Sequence, residues 1–120
     1  MPYESLRDYL DVLEERGLFH WIDKEVDKDW EIATIGRMLF SALPEERRFG
    51  LGFRNIKGYP GGRVVSGVIA AYTGMIAAAL QCEAKPMVIY DRIMSGITNP
   101  IEAVMVPSGP CKDVIHLGSD

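Results

Sequence analysis

The chain has 120 residues, 48% of them apolar and 25% charged, with a formal net charge of -4. That length suits one domain around one core. The composition excludes a disordered chain, and the acidic balance argues against a domain held to nucleic acid by phosphate neutralisation. Cys82 and Cys111 stand 29 positions apart and form no C-x-x-C pair, so a zinc ribbon and a thioredoxin-like motif are excluded and two free, buried thiols are expected.

The first residues enter a charged helical pattern directly, without a secretory signal. The longest apolar stretch, Val64 to Leu80, is broken by Ser66, Gly67, Thr73 and Gly74, so no membrane span is expected and the location expected is cytoplasmic. Ser5 with Asp8 resembles a capping box, and Leu6, Tyr9, Leu10 and Leu13 recur at helical spacing until Gly17, which predicts a first helix over Glu4 to Arg16. Leu18 to Val26 reads as an edge-like strand, and Asp27 to Asp29 as a turn. Ile32, Ile35, Leu39, Phe40 and Leu43 form the apolar stripe of a second helix that Pro44 ends.

Phe49 to Ile56 and Arg63 to Ile69 read as a hairpin joined by the turn cluster Lys57 to Gly62. An Ala-rich third helix is expected from Thr73 to Gln81, and a fourth from Pro86 to Ile97, closed by Asn99-Pro100. Ile101 to Val106 is expected as a short strand, Pro107 to Pro110 as a turn, and Asp113 to Leu117 as a last strand. The fold class expected is α+β, a small mixed sheet with about four helices.

The charge is unevenly placed. Residues 1–31 carry ten acidic and four basic side chains, and residues 32–120 carry seven and nine. Arg47, Arg48, Arg54, Lys57 and Arg63 form a basic segment, expected as a solvated rim or a contact with an acidic neighbour. From Val64 to Val106 only Glu83, Lys85, Asp91, Arg92 and Glu102 are charged. A free-standing surface needs more charge than that, so this stretch is expected to be either buried or covered by something outside the chain.

Catalytic patterns are missing. Gly50-x-Gly52 has Asn55 where a dinucleotide fingerprint needs its third glycine, and no phosphate loop or G-x-S-x-G elbow occurs. Cys111, Asp113 and His116 are close in sequence, but the other histidine, His20, is ninety-six residues from His116, which leaves a zinc site short of ligands. Glu14/Glu15 and Glu45/Glu46 are adjacent pairs whose side chains diverge on a helix, so they are expected as solvated surface; His20 is expected on a strand, facing solvent. No catalytic, cofactor-binding or metal-ligating residue is assigned.

Three ordered segments carry a resemblance across residues 3–117. They are Ser5 to Gly17 running through Leu18-Phe-His-Trp-Ile-Asp-Lys-Glu-Val-Asp27 into Trp30-Glu31-Ile32; Phe53-Arg-Asn-Ile-Lys-Gly-Tyr-Pro60; and Asn99-Pro-Ile101 with Gly109-Pro-Cys-Lys-Asp-Val114 downstream. Together they resemble the N-terminal domain of the UbiD family of reversible decarboxylases. The sequence departs from that family at Ala70-Ala-Tyr-Thr-Gly-Met75, where members often carry Ser or Gly with several Arg or Lys.

The resemblance implies that residues 1–120 are one non-catalytic N-terminal domain. The parent would be a carboxy-lyase that adds or removes carbon dioxide on an aromatic or α,β-unsaturated acid. It implies prenylated FMN with a divalent metal (Mn or Mg) and K in that parent, none of them bound by this chain alone. The partners implied are the remaining domains or subunits of the enzyme, in a homo-oligomer, with neither nucleic acid nor membrane. The alternative reading is a free-standing α+β binding or subunit-interaction module.

Overall fold

A computed structural model of the chain describes residues 3–69, 71–110, 113–114 and 118. Helix α1 spans Leu6–Glu15, and both halves of the expected capping box form: the Ser5 side chain accepts from the Asp8 N–H, and the Asp8 carboxylate accepts from the Ser5 N–H at 3.0 Å. Gly17, at φ +68°, ends the helix in the left-handed region that favours glycine. Strand β1 (Phe19–Ile22) follows, then the Asp27 to Asp29 turn, in which the Asp29 N–H donates to the Asp27 carboxylate at 2.8 Å. Helix α2 (Glu31–Ala42) is followed by a short 3-10 turn over Glu45–Arg47.

Strands β2 (Gly50–Phe53) and β3 (Val64–Ser66) complete a three-stranded mixed sheet in the order β1-β2-β3. β1 lies parallel to β2, and β2 antiparallel to β3, so β1 is an edge strand and the expected hairpin is present. Helices α3 (Thr73–Leu80) and α4 (Pro86–Thr98) follow. The four helices and the mixed sheet are the architecture read from the sequence.

Alternation along the strands gives the sheet two apolar faces. On one, Phe19 joins Tyr9, Leu10 and Leu13 of α1 and Met75 and Ala78 of α3, with Trp21 and Val65 packed at the margin. On the other, Leu51 and Phe53 meet Ile32, Ile35 and Leu39 of α2, together with Val26 and Ile56. The sheet is the middle of three layers.

The register places Trp21, Gly52 and Val65 in one row across the three strands, with Phe19 opposite Gly50 in the next. A Cβ on Gly52 would stand 2.3 Å from the Trp21 ring and 2.6 Å from Phe19 Cζ. Gly50-x-Gly52 is therefore the floor over which two aromatic rings of β1 lie, and the rings themselves meet edge to face at 5.0 Å.

The Phe53 to Pro60 segment is a fastening. The Asn55 carbonyl accepts from the Val26 N–H and the Val26 carbonyl from the Lys57 N–H, both at 3.0 Å, and Ile56 is buried between them. Gly58 and Gly61 both have φ +79°, which supplies the left-handed corners of the loop. At the other end of the domain, the Tyr9 hydroxyl lies 2.6 Å from the Val68 carbonyl and 3.0 Å from the Met75 carbonyl, sharing its proton between them. Burial disfavours the phenolate, and with Tyr3 nearby the Tyr9 pKa is pushed up to about 12.

The end of the chain corrects one expectation. Ile101 to Val106 is not a strand: among the described residues no other segment pairs with it, and its side chains are exposed. A β-rich run becomes a strand only where an edge is offered to it. Of the expected strand from Asp113 to Leu117, Asp113 and Val114 lie in bends, and residues 115–117 lie outside the described residues.

Candidate docking site

The charge-poor stretch divides into two halves with opposite fates. Its first half builds the core, through Ala71, Met75, Ala77, Ala78 and Ile89. Its second half, residues 90–106, is exposed throughout.

The division begins at the link between α3 and α4. Gln81 takes a left-handed φ of 53°, and the Cys82 N–H returns to the Ala77 carbonyl at 3.0 Å, which closes α3. Pro86 then occupies the first turn of α4, where its missing N–H costs no hydrogen bond. Helix α4 packs against α3, and the side chain it buries is Ile89.

Met87, Tyr90, Met94 and Ile97 recur at intervals of three and four and so line one side of the helix, with Ile93 next to them. Ile97 is 64% exposed. The apolar surface continues past the helix, where Ile101 and Met105 are 98% and 95% exposed and Val104 is exposed as well. An apolar stripe rimmed by little charge and continued by an apolar segment is the signature of an interaction surface. Of the two fates the sequence allowed for this region, burial within the chain does not hold for residues 90–106, which are exposed.

The polar residues weighed as catalytic candidates do not converge. His20 is exposed on β1, its ring edge-on to Phe49 with centroids 4.7 Å apart, as its strand position led one to expect. Asp113 is exposed, and Cys111 and His116 lie outside the described residues. Cys82 is half-buried rather than fully buried, because it sits in the link just past α3.

Glu14 is exposed and accepts a hydrogen bond from the Trp21 indole N–H at 3.3 Å. Glu45 does more than face solvent: it accepts from the Thr73 N–H at 3.1 Å and from the Thr73 hydroxyl, so it caps α3 from across the fold. Those bonds hold its carboxyl below the usual range. Sequence reasoning missed this cap because its partners lie 28 residues apart.

The basic segment is spent partly on packing. The Arg48 Nε donates to the Leu43 carbonyl at 3.0 Å, and its guanidinium lies over Phe40; the Arg54 guanidinium lies 4.6 Å from the Trp21 ring centroid. Among the described residues, no three His, Cys, Asp or Glu side chains stand close enough to share a metal ion, and no polar or charged side chain is buried. The described residues therefore do not fit a metal-dependent flavin centre, and no chemical step is assigned to them.

No helix in the described residues is long and apolar enough to cross a membrane. Residues 10–96 match the family model of the 3-octaprenyl-4-hydroxybenzoate carboxy-lyase N-terminal domain. No curated protein matches the chain.

Among solved structures, the chain is similar to the vanillic acid decarboxylase of Sedimentibacter hydroxybenzoicus in its closed form, with 25% identity and a TM-score of 0.71 over 95% of this chain and 24% of that one. It is also similar to an evolved dimeric form of the UbiD-class enzyme HmfF from Pelotomaculum thermopropionicum in complex with prFMN, with 30% identity and a TM-score of 0.69 over 87% of this chain and 22% of that one. A structure of the UbiD-class enzyme HmfF from the same organism in complex with FMN gives 29% identity and a TM-score of 0.66, over 84% of this chain and 20% of that one. The chain thus spans about a fifth to a quarter of the length of the enzymes it resembles.

Proposed function

The chain belongs to the UbiD carboxy-lyase family through its N-terminal domain, and from that premise we propose that it is the non-catalytic front domain of a prenylated-FMN-dependent (de)carboxylase. The observation that carries this reading is the bare apolar face of α4 and residues 101–106. In the proposed enzyme this face packs on the remaining domains or subunits, which hold the flavin. The divalent metal, K and the proton-transferring groups belong there too, since the described residues of this chain do not suit them.

The substrate proposed for the whole enzyme is an aromatic or α,β-unsaturated carboxylic acid, and the assembly proposed is a homo-oligomer. The similar decarboxylase and the prFMN-bound relative support this choice. The cofactor supplies the difficult chemistry, and the protein supplies position and environment. The front domain contributes to position by closing one side of the assembly.

The test is spectroscopic. The full-length protein, co-expressed with the prenyltransferase that makes the cofactor, is expected to purify with flavin absorbance and to decarboxylate at least one aromatic or unsaturated acid. Purification without any flavin absorbance contradicts the proposal.

A further inference from the structure

The first turns of α1 and the β1 and β3 strands line an open cleft of about 440 Å³. That volume lies within the roughly 300–1,000 Å³ range of small-molecule sites. Its floor is aliphatic, made by Leu6, Leu10 and Val65, and the Trp21 indole forms one wall. Leu6 is 55% exposed although it opens the apolar stripe of α1, so the floor is bare.

Two arginines, Arg7 and Arg63, line the same space. Among the described residues neither has a hydrogen-bond, ion-pair or ring partner. The third arginine near the indole, Arg54, is already engaged, lying over the Trp21 ring and 3.7 Å from Asp23. Asp11 supplies a carboxylate to the lining, whereas the nearby Glu14 is occupied by the indole N–H.

From this we infer that the cleft binds a small amphipathic monocarboxylate with a flat apolar body. The body lies on Leu6, Leu10 and Val65 against the indole, and the carboxylate takes the guanidinium forks of Arg7 and Arg63, whose geometry matches it. Asp11 offsets one of the two positive charges, so a single negative charge is favoured over two. The site is formed within this chain alone and does not depend on where the proposed flavin domain sits.

The probe is 2-naphthoate, titrated into the 120-residue chain and followed by the indole N–H resonance of Trp21, with Trp30→Phe removing the other tryptophan. Saturable binding is expected. Arg7→Gln and Arg63→Gln, both at exposed positions, are each expected to weaken it about tenfold. The uncharged 2-naphthylmethanol and the doubly charged 2,6-naphthalenedicarboxylate are both expected to bind more weakly. The inference is overturned by an absence of saturable binding, by unchanged affinity in both arginine variants, or by either control ligand binding as tightly as the monocarboxylate.

Discussion

Replacement of Gly52 by valine is expected to destabilise the domain by about 3 kcal/mol or more, at the upper end of what overpacking costs. The added Cβ alone would meet the Trp21 ring at 2.3 Å and Phe19 at 2.6 Å, so at least one ring must leave its place on the sheet. Phe19 is fully buried, and it already lies 3.0 Å from where a Cβ on Gly50 would stand. Trp21 is held by its bond to Glu14 and by the Arg54 guanidinium.

Gly96 is the matched control. It lies inside α4 with nothing within 4 Å of its added Cβ, so Gly96→Ala is expected to stabilise the helix by about 0.5–1 kcal/mol. Urea denaturation of the two variants measures both effects. A loss below about 1 kcal/mol for Gly52→Val contradicts the role given to the paired glycines.

The second large effect is expected on assembly. In the 120-residue chain Ile93 and Ile97 are exposed, so the double variant Ile93→Asp, Ile97→Asp is expected to change its stability by no more than about 0.5 kcal/mol for each site. In the full-length protein the same two positions are expected to be buried at the docking face. Burying an isoleucine contributes about 1.5–3 kcal/mol, and a carboxylate left without a partner there costs more. The double variant is therefore expected to release the front domain, which shows as rapid proteolytic cleavage between it and the rest and as loss of bound flavin. A full-length variant with wild-type protease resistance and flavin content contradicts the docking role.

Much of the fold was legible because its signals are local. The Ser5/Asp8 box, the Gly17 stop and Pro86 at the start of α4 act within one helical turn, and the observed helices begin and end close to where those residues place them. Turn chemistry between Asn55 and Gly62 likewise placed the β2–β3 connection.

What the residues did not reveal depends on partners far along the chain. Ile101 to Val106 has the composition of a strand, but the described residues offer it no edge. The purpose of Gly50-x-Gly52 becomes visible only when the parallel register sets it under Phe19 and Trp21. The Glu45 cap on Thr73 and the Tyr9 bonds to Val68 and Met75 join residues 28, 59 and 66 positions apart.

The docking face was half legible. The low charge from Val64 to Val106 marked the region, but only packing separates Met75, Ala77 and Ala78, which fill the core, from Ile93, Met94 and Ile97, which do not. The cleft beside Trp21 gave no signal at all, since Arg7 of α1, Trp21 of β1 and Arg63 just before β3 line it from positions far apart in the chain.

Amide hydrogen exchange over residues 86–106 tests the central claim most directly, by comparing the 120-residue chain with the full-length protein. A helix that buries Ile89 and little else is expected to open readily in the chain by itself. In the full-length protein its amides are expected to exchange about 100-fold more slowly, which corresponds to about 2.7 kcal/mol of added protection. Equal exchange rates in the two would contradict the claim that this face is where the domain docks.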